Sequence, residues 1–154
     1  MIQIPRDFLE FIQLLSKHKV EYLIVGGYAV ATYGYVRYTG DMDFFIARNL
    51  ENASRMVLVF QEFGLNTPEI NETLFAEPGK IMRVGVEPMR LEVMNQIDGV
   101  TFSECYDQRV VLVVNDIPVN FISLEFLLKN KKATGRGKDK VDAEELEKRN
   151  IRNN

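Results

Sequence analysis

The sequence predicts an α+β domain: one mixed central β-sheet with helices packed against it. Three observations predict this. Apolar residues recur at helical spacing near the N-terminus and after Asn49. Between and after those segments stand six short β-type runs, at 20–25, 41–46, 80–86, 90–95, 110–114 and around Val119 and Phe121. A chain of 154 residues, 46% hydrophobic and 27% charged, forms a single compact domain over 1–154 that can bury a sizeable core.

Taken in order, Pro5 is a good first-turn residue, and Phe8, Phe11, Ile12 and Leu15 follow as one apolar face of a helix over 5–18, ended by His18. Residues 20–25 form the first strand, Tyr28 to Tyr33 a short helix and Asp41 to Ile46 the second strand. Asn49 caps a helix with Ala53, Met56, Val57 and Phe60 on one face, and Gly64 stops it. Thr67-Pro68 marks a shorter helix start, inside a weakly patterned region, 66–80, that reads as a flap. Residues 80–86 and 90–95 make a strand pair turned at Glu87-Pro88. A short helix over Ser103 to Asp107 precedes a second pair turned at Asn115-Asp116. Ser123 caps LEFLLKNKKA, which stops at Thr134-Gly135, and GRGKDK leads into a charged final helix carrying Val141 and Leu146.

The chemistry concentrates in GGYAVATYGYVRYTGDMD, residues 26–43. A strand running into Gly26-Gly27 and a short helix leaves backbone N–H groups unpaired where an anion can sit. Read alone, the same doublet also fits a tight turn. Asp41 and Asp43 open the next strand. Side chains two apart project from one face, roughly 7 Å apart, a spacing that can bracket hard divalent cations. Two carboxylates among Met42, Phe44 and Phe45 repel each other unless a cation compensates them. Glu92 is a third acid, alternating with Leu91 and Val93. Read alone, it also fits a solvent-facing residue of an edge strand. The chemistry these groups point to is phosphoryl or nucleotidyl transfer.

Composition excludes several alternatives. A lone Cys105 makes no intrachain disulfide, and with one His18 there is no Cys/His constellation for zinc, so any metal is held by oxygen. The start, MIQIPRDFLE, carries no signal-type apolar core, and no stretch approaches the roughly eighteen apolar residues of a membrane span, so a cytoplasmic protein without membrane contact is expected. A net charge of −3 argues against a surface given over to nucleic acid. One local exception is Lys129, Lys131, Lys132, Arg136, Lys138 and Lys140, which face a single acid, Asp139, and are expected to meet a triphosphate or an RNA backbone.

The order strand, GG, short helix, RxTxDxD, helix and a later strand with a third acid resembles the nucleotidyltransferase fold of the DNA polymerase β superfamily. VGGYAVATYGYVRYTGDMDFFIA and ISLEFLLKNKKATGRGKDKVDAEEL resemble the small bacterial AbiEii-like nucleotidyltransferases of type IV toxin–antitoxin systems. The resemblance implies an enzyme that moves a nucleoside monophosphate from an NTP to a hydroxyl acceptor, with Mg2+ or Mn2+ as cofactor. It makes Asp41, Asp43 and Glu92 the catalytic metal ligands, although the third position is more often Asp. It makes Gly26, Gly27, Arg37, Thr39, Lys132, Arg136 and Lys138 the nucleotide-binding set, with Asp139 and Asp142 orienting the basic residues. The doublet stands where the superfamily has Gly-Ser, so phosphate contacts there come from backbone N–H groups. The toxin-like resemblance implies tRNA or another RNA as acceptor and an antitoxin protein as partner. An aminoglycoside or protein hydroxyl is the alternative acceptor, and a non-catalytic nucleotide- or partner-binding module the alternative class.

Overall fold

The fold is a computed structural model describing residues 3–153. Its helices are α1 (Arg6–Lys17), α2 (Gly26–Thr32), α3 (Leu50–Glu62), α4 (Glu72–Ala76), α5 (Phe102–Asp107), α6 (Leu124–Ala133) and α7 (Gly137–Asn153). Its strands are β1 (Tyr22–Val25), β2 (Asp41–Ile46), β3 (Ile81–Val84), β4 (Arg90–Met94), β5 (Val110–Val114) and β6 (Ile117–Phe121). The strands form one mixed sheet in the order β3-β4-β2-β1-β6-β5, antiparallel except at β2–β4 and β1–β6. None of the described helices is long and apolar enough to cross a membrane.

The first helix forms because its apolar residues recur every three to four positions, and Phe8, Leu9, Phe11, Ile12 and Leu15 are all buried. Phe11 is the hub. Its ring meets Phe44 of β2 and Phe60 of α3, each at 5.2 Å between centroids, and Tyr22 of β1 packs on Phe44 from the same side. Burying one such phenylalanine is worth roughly 1.5–3 kcal/mol. The sheet face bearing Tyr22 and Phe44 is therefore sealed by α1 and α3. Side chains alternate along a strand, so Asp41, Asp43 and Phe45 project from the opposite face, where Phe45 meets Phe102 of α5 edge to face at 5.1 Å.

Two asparagines tie helices to strand ends. Buried Asn52 accepts from Glu21 N and donates to Glu21 O and Ala47 O, which fixes α3 against the outer ends of β1 and β2. Asn95, at the end of β4, donates to Phe75 O and Glu77 O and accepts from Gly79 N. The region expected as a flap is thus pinned toward its C-terminal end, where Phe75 also stacks on Phe60. The helix expected to start at Thr67 starts at Glu72 instead. Asn71 supplies the cap oxygen to Leu74 N, and Thr67 only closes a turn to Ile70. At two other places the helix begins earlier than expected: Gly26-Gly27 lies inside the first turn of α2, and GKDK inside that of α7.

Candidate active site

On the open face of the sheet a cleft of about 620 Å3 is built by the end of β1, the start of α2, the Arg37–Gly40 loop, β2, β4 and the α6–α7 junction. Among the expected residues it brings together Gly26, Gly27, Arg37, Thr39, Asp41, Asp43, Glu92, Arg136 and Lys138. The acids meet because β2 and β4 are parallel neighbours in a register that sets Asp43 opposite Glu92. One carboxylate oxygen from each of Asp41, Asp43 and Glu92 lies within 4.8 Å of the other two.

Asp43 is the least satisfied of the three. Its Oδ1 is buried with no hydrogen-bond partner, a condition that costs about 1–3 kcal/mol in a folded protein. Its Oδ2 fills the space above Gly26, where a Cβ would lie 2.0 Å away; Gly26 also has a φ of +67°. Asp43 therefore needs glycine at position 26 on both counts. Burial first, then the charges of Glu92 and Asp41, push the Asp43 carboxyl up to about 7, against the pull of Lys131 and Lys138.

The other two acids are paired with arginines that the sequence reading missed. Arg90, which the β2–β4 register sets opposite Asp41, donates to it from Nε at 2.6 Å and from Nη2 at 3.0 Å. Arg90 Nη2 also reaches Glu87 at 3.2 Å, and Arg83 Nε lies 3.3 Å from Glu92. The signal for Arg90 was its two-residue offset from Glu92, readable only once β2 and β4 are known to pair, whereas Arg83 is set opposite Glu92 by the antiparallel β3–β4 register.

A buried charge network forms the far wall. The ammonium of Lys131, whose side chain is 7% exposed, lies 2.8 Å from Asp139 Oδ1 and 3.2 Å from Asp142 Oδ2. Arg37 donates twice to Asp142, both at 2.7 Å, and Asp139 Oδ2 accepts from Thr134 Oγ1 and Arg136 Nε. Burial raises both aspartates, but their cationic and hydroxyl donors outweigh it and hold each carboxyl below the usual range. The same contact with Asp142 raises Arg37. Thr39 Oγ1 donates to Asp41 O and sits where a Cβ on Gly27 would be, 2.5 Å away.

One expected residue belongs elsewhere. Lys132 points away from the cleft and pairs with Glu147 of α7, its side chain 61% exposed, and Lys131 takes the inward place. Consecutive helical residues diverge by about 100°, and Leu127, Asn130 and Lys131 share the buried face of α6 at spacings of three and four.

Three convergent carboxylates, one with an orphaned buried oxygen, are an all-oxygen donor set that fits a hard divalent cation such as Mg2+ or Mn2+. Residues 5–154 match the model of a family described as nucleotidyl transferase of unknown function, DUF2204. The chain belongs to that family. This DUF2204 member shares its fold with a putative nucleotidyltransferase from Thermotoga maritima, at 17% identity over 93% of this chain and 89% of that one, with a TM-score of 0.58. It is similar in the same way to an antigenic nucleotidyltransferase-like protein from Paracoccidioides brasiliensis, at 18% identity, 93% and 74% coverage and a TM-score of 0.56. A lincosamide antibiotic adenylyltransferase solved with lincomycin matches at 15% identity, 94% and 96% coverage and a TM-score of 0.55. No curated protein matches the sequence.

Proposed function

We propose that this nucleotidyltransferase-family protein moves a nucleoside monophosphate from an NTP to a hydroxyl acceptor in the cleft between β2, β4 and the α6–α7 junction. The observation that carries the reading is the orphaned Asp43 Oδ1 among the three convergent carboxylates. Asp41, Asp43 and Glu92 are the metal ligands in this reading. A divalent cation, Mg2+ or Mn2+, supplies charge neutralisation at the triphosphate and acidifies the acceptor hydroxyl. In the reaction the acceptor oxygen forms a bond to the α-phosphorus, the bond from that phosphorus to the bridging oxygen breaks, and pyrophosphate leaves. Glu92, its side chain 15% exposed, accepts the hydroxyl proton in this reading.

Phosphate oxygens meet Arg136 and Lys138, the backbone N–H groups of Gly26 and Gly27, and Lys131 in the place first expected for Lys132. Arg37 and Thr39 act mainly by bracing: one holds Asp142, the other the backbone of Asp41. Beside the cleft a second hollow, of about 750 Å3, shares Gln96, Ile97 and Asp98 as a wall and gives an acceptor room.

For the acceptor, the AbiEii-like resemblance favours tRNA or another RNA and an antitoxin protein as partner in the cell. The fold is also that of enzymes whose structures hold lincomycin and adenylyl-2″-tobramycin, which favours an antibiotic hydroxyl. Incubation with each α-labelled NTP, Mg2+ or Mn2+, and either total tRNA or an antibiotic panel separates these. The proposal expects label on one acceptor class and none with Asp43→Asn. If nothing is labelled while NTP still binds, the protein is a binding module.

A further inference from the structure

Arg90 occupies the position of a cation. Its guanidinium holds both oxygens of Asp41, at 2.6 and 3.0 Å, and the same Asp41 contributes one of the three convergent ligand oxygens. The contact follows from strand register, since Asp41 and Arg90 are directly opposed across the parallel β2–β4 ladder. The guanidinium is also not sealed in: the side chain is 30% exposed and has Glu87, a residue of the cleft wall, as a second acceptor at 3.2 Å. An arginine fork fits a carboxylate and a phosphate equally well, in two parallel N–H···O bonds each.

We propose that Arg90 competes with the divalent cation for Asp41 and is drawn off by the polyphosphate of the incoming NTP, so that metal and nucleotide bind to this chain cooperatively. The exchange conserves ion pairs: Asp41 passes from the guanidinium to the metal as the guanidinium passes from the carboxylate to phosphate. Without nucleotide, the metal has to displace Arg90 and leave it with Glu87 alone. With nucleotide, both cations gain a partner, and by linkage each ligand tightens the other by the same factor. Glu92 takes no equivalent part, because Arg83 approaches it through one nitrogen at 3.3 Å and from an exposed position. This inference rests on the proposed metal site.

The test is Mn2+ binding followed by electron paramagnetic resonance, with and without an NTP analogue carrying a methylene between its α and β phosphates. The variants are Arg90→Gln, Arg90→Lys and, as the site control, Asp41→Asn. Wild type is expected to bind Mn2+ weakly alone and about tenfold or more tighter with the analogue, a coupling near 1.4 kcal/mol. Arg90→Gln is expected to bind Mn2+ alone about tenfold tighter than wild type, with a nucleotide-dependent gain smaller than that of wild type by the same factor. Arg90→Lys keeps the charge but loses the fork, and should fall between. If Asp41→Asn loses Mn2+ while both Arg90 variants match wild type with and without analogue, the competition is refuted and the metal site stands. If Asp41→Asn binds Mn2+ as wild type does, the metal site itself fails and the inference falls with it.

Discussion

Asp43 on β2 faces Glu92 on β4 straight across a parallel ladder, and neither side chain is carried by a loop. Two acids from adjacent strands on one sheet face are held in place by the sheet's own hydrogen bonds. Their separation is therefore set before any ligand arrives, and the repulsion between them is stored in the fold.

That stored repulsion makes stability depend on pH in a definite direction. The folded Asp43 carboxyl is raised to about 7, above its unfolded value. Below about pH 4 it is protonated in both states and exacts no penalty. Between about pH 4 and 7 the unfolded chain gives up the proton while the folded one keeps it, so stability falls as pH rises, by up to about 4 kcal/mol in metal-free buffer. Melting temperatures of wild type and Asp43→Asn in EDTA should coincide near pH 4 and separate in favour of the mutant by pH 8. Parallel profiles would show that Asp43 ionises without cost.

Activity should move the opposite way. Asp41→Asn and Asp43→Asn are expected to abolish transfer, and Glu92→Gln to lower kcat by orders of magnitude, with folded structure kept in all three. Circular dichroism together with a labelled-NTP assay checks this. A Glu92→Gln rate within a few-fold of wild type would return Glu92 to the role of a strand residue.

Lys131 and Lys132 should behave as different residues despite being neighbours. Lys131→Met leaves Asp139 and Asp142 short of a cation inside the protein, a change that typically costs roughly 3 kcal/mol or more, and it also weakens NTP binding. Lys132→Ala should leave both the melting temperature and the Michaelis constant for NTP unchanged. Denaturant melts and steady-state kinetics on the pair decide the matter.

Gly26→Ala should be far more harmful than an ordinary glycine-to-alanine change. The added methyl meets Asp43 Oδ2 at 2.0 Å, and the backbone there has a positive φ. Both the melting temperature and transfer are expected to fall. A variant with wild-type turnover would mean that the Asp43 rotamer is free to change without consequence.

Much of this was legible from local rules. The six strands, the capped helices after Asn49 and Ser123, and the pairing of Asp41 with Asp43 on one face follow from side-chain alternation and cap chemistry over a few residues. What was not legible depends on which strands become neighbours. Arg90 meets Asp41 only because β4 lies parallel to β2, and no short-range pattern states that. Lys132 was a matter of helix phase: counting from the buried Leu127 selects Lys131, and the run of four basic or amide residues from Lys129 hid it. Arg37 was placed on phosphate because Asp142 is 105 residues away in sequence.

Asn95 satisfies three main-chain groups of a segment with little regular structure of its own, at Phe75, Glu77 and Gly79. Glu77 and Gly79 lie at the surface, but the Gly79 N–H is free to exchange only when its bond to Asn95 at the end of β4 breaks. In a deuterium-labelling time course the amide of Gly79 should exchange on the timescale of the β4 amides, and far more slowly than an exposed turn amide such as that of Glu87. Replacing Asn95 with alanine should release the Gly79 amide to rapid exchange.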